Sequence, residues 1–139
     1  MAQTLRIQLE SVGPTTTWAT VRVHTALVDR PAAKGGEDRG PLGGEYLLVA
    51  LGGCFMSNLL AAIRAREATI TNVRADVAAT MDGQPDRFTD FTVTVSAERS
   101  DPGEVRKLIE IAARACAVTN TLSKAASVSF VFEGTQVDV

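Results

Sequence analysis

Apolar and polar residues alternate at the start of the chain: Leu5, Ile7 and Leu9 against Arg6, Gln8 and Glu10, the period of a strand with one wet face. Ser11-Val12-Gly13-Pro14 reads as a turn, and residues 15–28, rich in Thr and Val, read as one or two further strands in which Ala19, His24 and Ala26 blur the alternation. Residues 35–44 hold five glycines and read as a loop. The pattern then changes. Tyr46 to Ile63 is apolar apart from Ser57, Asn58, the tyrosine hydroxyl and one thiol, which predicts an interior helix from about residue 45 to about 67. Gly52-Gly53 weakens that helix by about 1 kcal/mol per glycine relative to alanine, so something is expected to approach its backbone closely just before Cys54: the sheet, a partner chain or a ligand.

Beyond the helix, Val73, Ala75, Val77, Ala79 and Met81 share one face of a strand, and Phe91, Val93, Val95 and Ala97 share one face of the next. Asp82-Gly83 with Pro85 supplies the turn of an antiparallel hairpin. Asp101, Pro102 and Glu104 mark a helix start of the capping-box type. Val105, Leu108, Ile109, Ala112 and Cys116 fall on one helical face, with a break expected at Thr119-Asn120 and a restart over residues 122–126. Val128, Phe130 and Phe132 share a face of a last strand. The order is β-β-β-α-β-β-α-β in one domain, residues 1–139. A sheet covers only one side of a helix that is apolar all round, which predicts a homodimer enclosing the central helices of two chains.

Length and composition sharpen this little. With 139 residues, 45% hydrophobic and 22% charged, the chain suits one globular core. A net charge of −2 gives no reason to expect nucleic acid or an anionic membrane as partner. The apolar run, interrupted by Gly52-Gly53, falls short of the roughly 20 residues of a bilayer span, and the first residues lack a signal-peptide pattern, so a cytoplasmic protein is expected.

The chemistry lies with the thiols. Two cysteines in a reducing compartment form a lasting bridge only rarely, so a redox or catalytic pair gains weight over two small hydrophobes. A thiol of ordinary pKa near 8.5 is mostly protonated at neutral pH, and Cys54 lies too deep in its helix for that helix's own dipole to help. A cation is therefore expected beside it, from Arg22, Arg30, Arg39 or His24. Glu45 can orient such a cation only from elsewhere, because nine residues turn it about 180° around the helix and about 13 Å along it; stabilising the helix start is its simpler role. Tyr46, Phe55 and Met56 are candidate walls of an apolar substrate pocket, with core packing as the plain alternative. Two cysteines and one histidine, without Cys-x-x-Cys spacing, do not suggest a metal site. No cofactor is indicated.

Residues 35–41, 45–54 and 116–122, which contain the glycine loop and both cysteines, resemble the OsmC/Ohr family of osmotically inducible and organic hydroperoxide resistance proteins. The resemblance covers almost the whole chain. It implies an intertwined homodimeric α+β fold with an antiparallel sheet around the central helix and two sites at the subunit boundary. It also implies that Cys54 is peroxidatic and Cys116 resolving. Cys54 would reduce an organic hydroperoxide and become a sulfenic acid, Cys116 would close a disulfide, and an external dithiol, such as a dihydrolipoyl group, would reopen it. Of the arginines, Arg39 best matches the one supporting the thiolate. The chain departs from the peroxidase pattern at Gly44, where a glutamate is usual one residue before Glu45. Ala117 stands in place of a proline and Thr119 in place of a serine. A dimer that binds an apolar small molecule, or senses redox state without turnover, is the alternative.

Overall fold

The computed structural model describes residues 1–139. The chain divides into two compact units, residues 1–47 and 48–139. The class is α+β, as expected, with seven strands and three α-helices.

The first unit is an antiparallel sheet, β1 (Gln8–Ser11), β2 (Thr17–Val21) and β3 (His24–Val28), in the order β1-β2-β3. Val21 pairs with His24, so Arg22-Val23 is the two-residue connection, and Arg22 takes the left-handed conformation (φ 56°) that such tight hairpins demand. The first strand is shorter than its alternation suggested, and Leu5, Ile7 and Leu9 are 86%, 52% and 60% exposed. That apolar edge is real, but this chain leaves it uncovered.

Asp29 follows β3 and ties down the glycine loop. Its carboxylate accepts from the Thr16 hydroxyl (2.8 Å) and from the N–H groups of Arg30 (2.6 Å) and Arg39 (3.2 Å). Burial opposes the charge of this carboxylate. The Arg30 N–H, the Thr16 and Thr15 hydroxyls and the Arg39 N–H outweigh it and hold Asp29 well below the usual carboxylate range. Gly40 packs its backbone on the Leu27 carbonyl, where a β-carbon does not fit.

Helix α1 (Gly43–Ala65) begins in the first unit and runs on into the second. Glu45 accepts the N–H of Leu42 (2.8 Å), the return half of a capping box that satisfies a donor left free at the helix start. The helix is uninterrupted at Gly52-Gly53 and 23 residues long. By length and composition alone it is long and apolar enough to cross a membrane, because the helix extends beyond the apolar run at both ends.

In the second unit, β4 (Ile70–Asp82), β5 (Arg87–Arg99), β6 (Ser127–Phe132) and β7 (Thr135–Val137) form a sheet in that order. The β4–β5 hairpin is the expected one. The β5–β6 pair is parallel, since the chain between them crosses over through α2 (Pro102–Ala115) and α3 (Ala117–Leu122), and so the expected antiparallel arrangement holds only in part. Strand β7 was not foreseen: three residues are too few for a pattern, although Glu133 and Gly134, at φ 51° and 72°, make a tight hairpin connection. Phe91, Val93, Val95, Phe130 and Phe132 of the sheet, Val105, Leu108, Ile109 and Ala112 of α2, and Leu51, Phe55 and Leu59 of α1 are buried. The close approach predicted at the glycine pair is the sheet's. A β-carbon on Gly52 would lie 2.8 Å from Val77 Cγ2, whereas one on Gly53 would meet nothing.

Candidate active site

Cys54 lies in the middle of α1, half-buried, next to the core residue Phe55. Cys116 is fully buried at the joint between α2 and α3. The break expected at Thr119-Asn120 falls at Cys116 instead. Its backbone leaves the helix (φ −75°, ψ 111°), ending α2 and serving as the N-cap of α3. The reason is visible in the bonding: the Cys116 sulfur accepts the N–H of Thr119 (3.4 Å) and the Cys116 carbonyl accepts the N–H of Asn120 (3.0 Å), so the cysteine does the work usually given to a serine or aspartate.

Starting a helix at Ala117 leaves its first N–H groups without partners in the helix. They are divided between the two sulfurs. Burial pushes the Cys54 thiol up, but the N–H of Val118, the thiol of Cys116 and the N–H of Ala117 donate to it and carry it below the ordinary cysteine range. Burial pushes Cys116 the other way, upward. The Thr119 hydroxyl and N–H work against that rise, and the Cys54 hydrogen bond and charge add to it. The pair is reduced. Cys54 therefore has the more acidic thiol and Cys116 is held as its donor.

A further donor is Asn58, one turn after Cys54, whose Nδ2 donates to the Cys54 carbonyl (2.9 Å) and lies 3.9 Å from its sulfur. The sequence singled out neither Asn58 nor the amides of residues 117–119. The i, i+4 spacing from Cys54 could have flagged the asparagine, but backbone donors carry no residue signature. The donors that lower Cys54 are neutral N–H and S–H groups of its own unit.

The other expected site residues have plainer places. Glu45 is engaged in the helix cap. Arg39 belongs to the Asp29-anchored loop, where its backbone N–H is held and its guanidinium lies near Gly13. The Tyr46 hydroxyl donates to the Leu27 carbonyl (2.7 Å), fastening the helix start to β3. Phe55 is not a pocket wall: it is fully buried, its ring 4.8 Å from that of Phe130. Met56 does line a cleft, of about 510 Å³, with Leu48, Val49, Val73 and Val77.

Residues 35–131, which include both cysteines, match the family model described as OsmC-like protein. The chain belongs to the OsmC-like protein family. Among solved structures this OsmC-like chain is similar to the OsmC-like protein of Mycoplasma pneumoniae, with TM-score 0.81 and 16% identity over 95% of this chain and 99% of that one. It is similar to an organic hydroperoxide resistance protein of Elizabethkingia anophelis, with TM-score 0.72 and 18% identity over 97% and 100% of the two chains. It is also similar to the organic hydroperoxide resistance protein OhrB of Bacillus subtilis, with TM-score 0.68 and 16% identity over 94% and 98%. No curated protein matches it. At such identities the likeness establishes the OsmC-like fold and leaves chemistry to the residues.

Proposed function

We propose that this OsmC-like protein is a thiol peroxidase that reduces organic hydroperoxides, working in the cytoplasm as a homodimer of one-domain subunits. What supports the proposal is two free thiols within one unit, Cys54 half-buried on α1 and Cys116 fully buried where α2 gives way to α3, with the Cys54 thiol drawn below the ordinary cysteine range. The Cys54 thiolate attacks the terminal oxygen of the hydroperoxide, the O–O bond breaks, the alkoxide leaves with a proton as alcohol, and Cys54 becomes a sulfenic acid. Cys116 then displaces hydroxide from that sulfur, and an external dithiol, of which a dihydrolipoyl group is one kind, reopens the disulfide. Family membership and the hydroperoxide resistance proteins among the structural relatives support a redox or peroxide-related role. We assign Arg39 to the peroxide, Glu45 and Tyr46 to holding the start of α1, and Met56 to the organic part of the substrate.

The dimer rests on uncovered apolar surface. Val49 and Leu60 of α1 are 61% and 50% exposed, and the exposed side of a helix this apolar calls for a second copy.

Mixing reduced protein with cumene hydroperoxide, and separately with hydrogen peroxide, while following thiol loss by mass tests the activity. Cys54→Ser is expected to abolish consumption; Cys116→Ser is expected to complete one turnover and hold an oxidised Cys54. Equal consumption by wild type and Cys54→Ser would remove Cys54 as the nucleophile. The cleft lined by Leu48, Val49 and Met56 favours one second reading, a dimer that binds an apolar molecule without turnover. Saturable binding of such a molecule, unchanged in Cys54→Ser and with no peroxide consumed by wild type, is its signature.

A further inference from the structure

Thr119 lies three residues after Cys116 and is only 7% exposed. Its N–H donates to the Cys116 sulfur at 3.4 Å, while its hydroxyl oxygen is buried without a partner that meets hydrogen-bond geometry. An unpaired buried hydroxyl is costly, of the order of 1–3 kcal/mol, and native chains keep few of them. This one lies beside a sulfur that must lose its proton during turnover. The geometry points to Thr119 as a catalytic residue of disulfide closure, its N–H and its buried hydroxyl forming a two-donor seat for the Cys116 thiolate as it attacks oxidised Cys54. This rests on the peroxidase reading above and adds to it a division of labour within one helical turn: the amides of 117 and 118 serve the first sulfur, residue 119 the second.

The seat also explains the order of events. In the reduced protein Cys116 donates its proton toward Cys54, whose negative charge keeps it protonated. Cys54 is the titratable group that faces it. Arg114, two residues before it on α2, is exposed and pairs with Glu110 (3.0 Å). When Cys54 becomes a neutral sulfenic acid, that charge is gone, and the donors left around Cys116 are those of Thr119. The Cys116 thiolate then attacks the Cys54 sulfur. The S–S bond forms, the S–O bond breaks, and the departing hydroxide combines with the proton released by Cys116, so one water leaves. The two electrons given up by the sulfurs have already gone to the hydroperoxide, which left as alcohol.

Two measurements test this. The first needs no peroxide: in a Cys54→Ser background, which removes the charge at that position, the pH dependence of Cys116 alkylation is compared for Thr119, Thr119→Val and Thr119→Ser. Losing one hydrogen bond to the thiolate is expected to raise the midpoint by about one pH unit in Thr119→Val, with Thr119→Ser close to the parent. Identical midpoints in all three would overturn the proposal. The second mixes proteins carrying both thiols with one equivalent of cumene hydroperoxide. Thr119→Val is expected to oxidise Cys54 faster than it closes the disulfide, to close it about three- to fourfold more slowly than wild type at neutral pH, since the loss of thiolate outweighs the gain in its nucleophilicity, and to accumulate sulfenic acid that dimedone captures; Thr119→Ser is expected to restore closure. Closure at the wild-type rate in Thr119→Val would overturn the proposal. If wild type itself consumes no hydroperoxide, the peroxidase reading fails while the alkylation midpoints still decide the role of Thr119. Slow closure in a Thr119→Val protein whose urea midpoint matches wild type separates a chemical role from a structural one. Should Thr119→Val not fold, Thr119→Ala serves in both measurements against Thr119→Ser.

Discussion

The N–H of Thr119 donates to the Cys116 sulfur at 3.4 Å, and the groups that draw the Cys54 thiol below the ordinary cysteine range, the N–H groups of Val118 and Ala117 and the Cys116 thiol, belong to the same short stretch of chain. Cys116 makes this possible by ending one helix and capping the next. The same residue thus serves as structural joint and, in the proposed reaction, as redox partner, and changes near it separate the two roles.

Ala117→Pro is the cleanest such change. Proline suits the first position of a helix, and Cys116 already has the extended backbone that a following proline requires, so the fold is expected to tolerate it. It removes one N–H from the Cys54 sulfur. Cys54 is expected to become less acidic, seen as slower alkylation near neutral pH and an upward shift of the alkylation midpoint. An unchanged midpoint would mean that the Ala117 amide contributes nothing to the thiolate.

Asp29 sets a pH dependence of stability. Its carboxyl is depressed in the folded chain, so its contribution is fully present above the unfolded value of about 3.9 and is lost as pH falls below it toward the folded value. Asp29→Asn is expected to lower stability at neutral pH and to flatten the acid limb. Chemical denaturation repeated across that range checks both, and an acid limb as steep as wild type would assign the loss to other carboxylates.

Phe55 separates core from pocket. Fully buried and stacked on Phe130, it is expected to cost about 3–5 kcal/mol when changed to alanine, as large core truncations do. A substrate-facing ring would instead change the Michaelis constant and leave stability nearly untouched. Urea unfolding beside peroxidase kinetics distinguishes the two.

Gly52 and Gly53 are adjacent but differ in surroundings. Gly53→Ala is expected to stabilise α1 by about 1 kcal/mol, since its β-carbon meets nothing within this chain. Gly52→Ala forces Val77 to yield and is expected to fall below Gly53→Ala by about 1–3 kcal/mol. Urea midpoints at equal m-values give the comparison. If Gly53→Ala also raises the concentration needed for dimer formation, the open side of α1 is the subunit contact.

By itself the sequence determined most of the elements and singled out the two thiols on which the proposed chemistry rests. Period-two alternation marked the β4–β5 hairpin, the spacing of Val105, Leu108, Ile109, Ala112 and Cys116 marked the buried face of α2, and two thiols in a chain with one histidine narrowed the reaction class. These features are local, written in side chains a few residues apart. The tertiary structure alone decided what steadies the first sulfur, because backbone amides belong to every residue and matter only where a helix start is aimed. The parallel β5–β6 pairing depends on a crossover of some thirty residues, and the core place of Phe55 depends on Phe130, 75 positions further on. Such contacts are set by packing between distant segments, and no period along the chain records them.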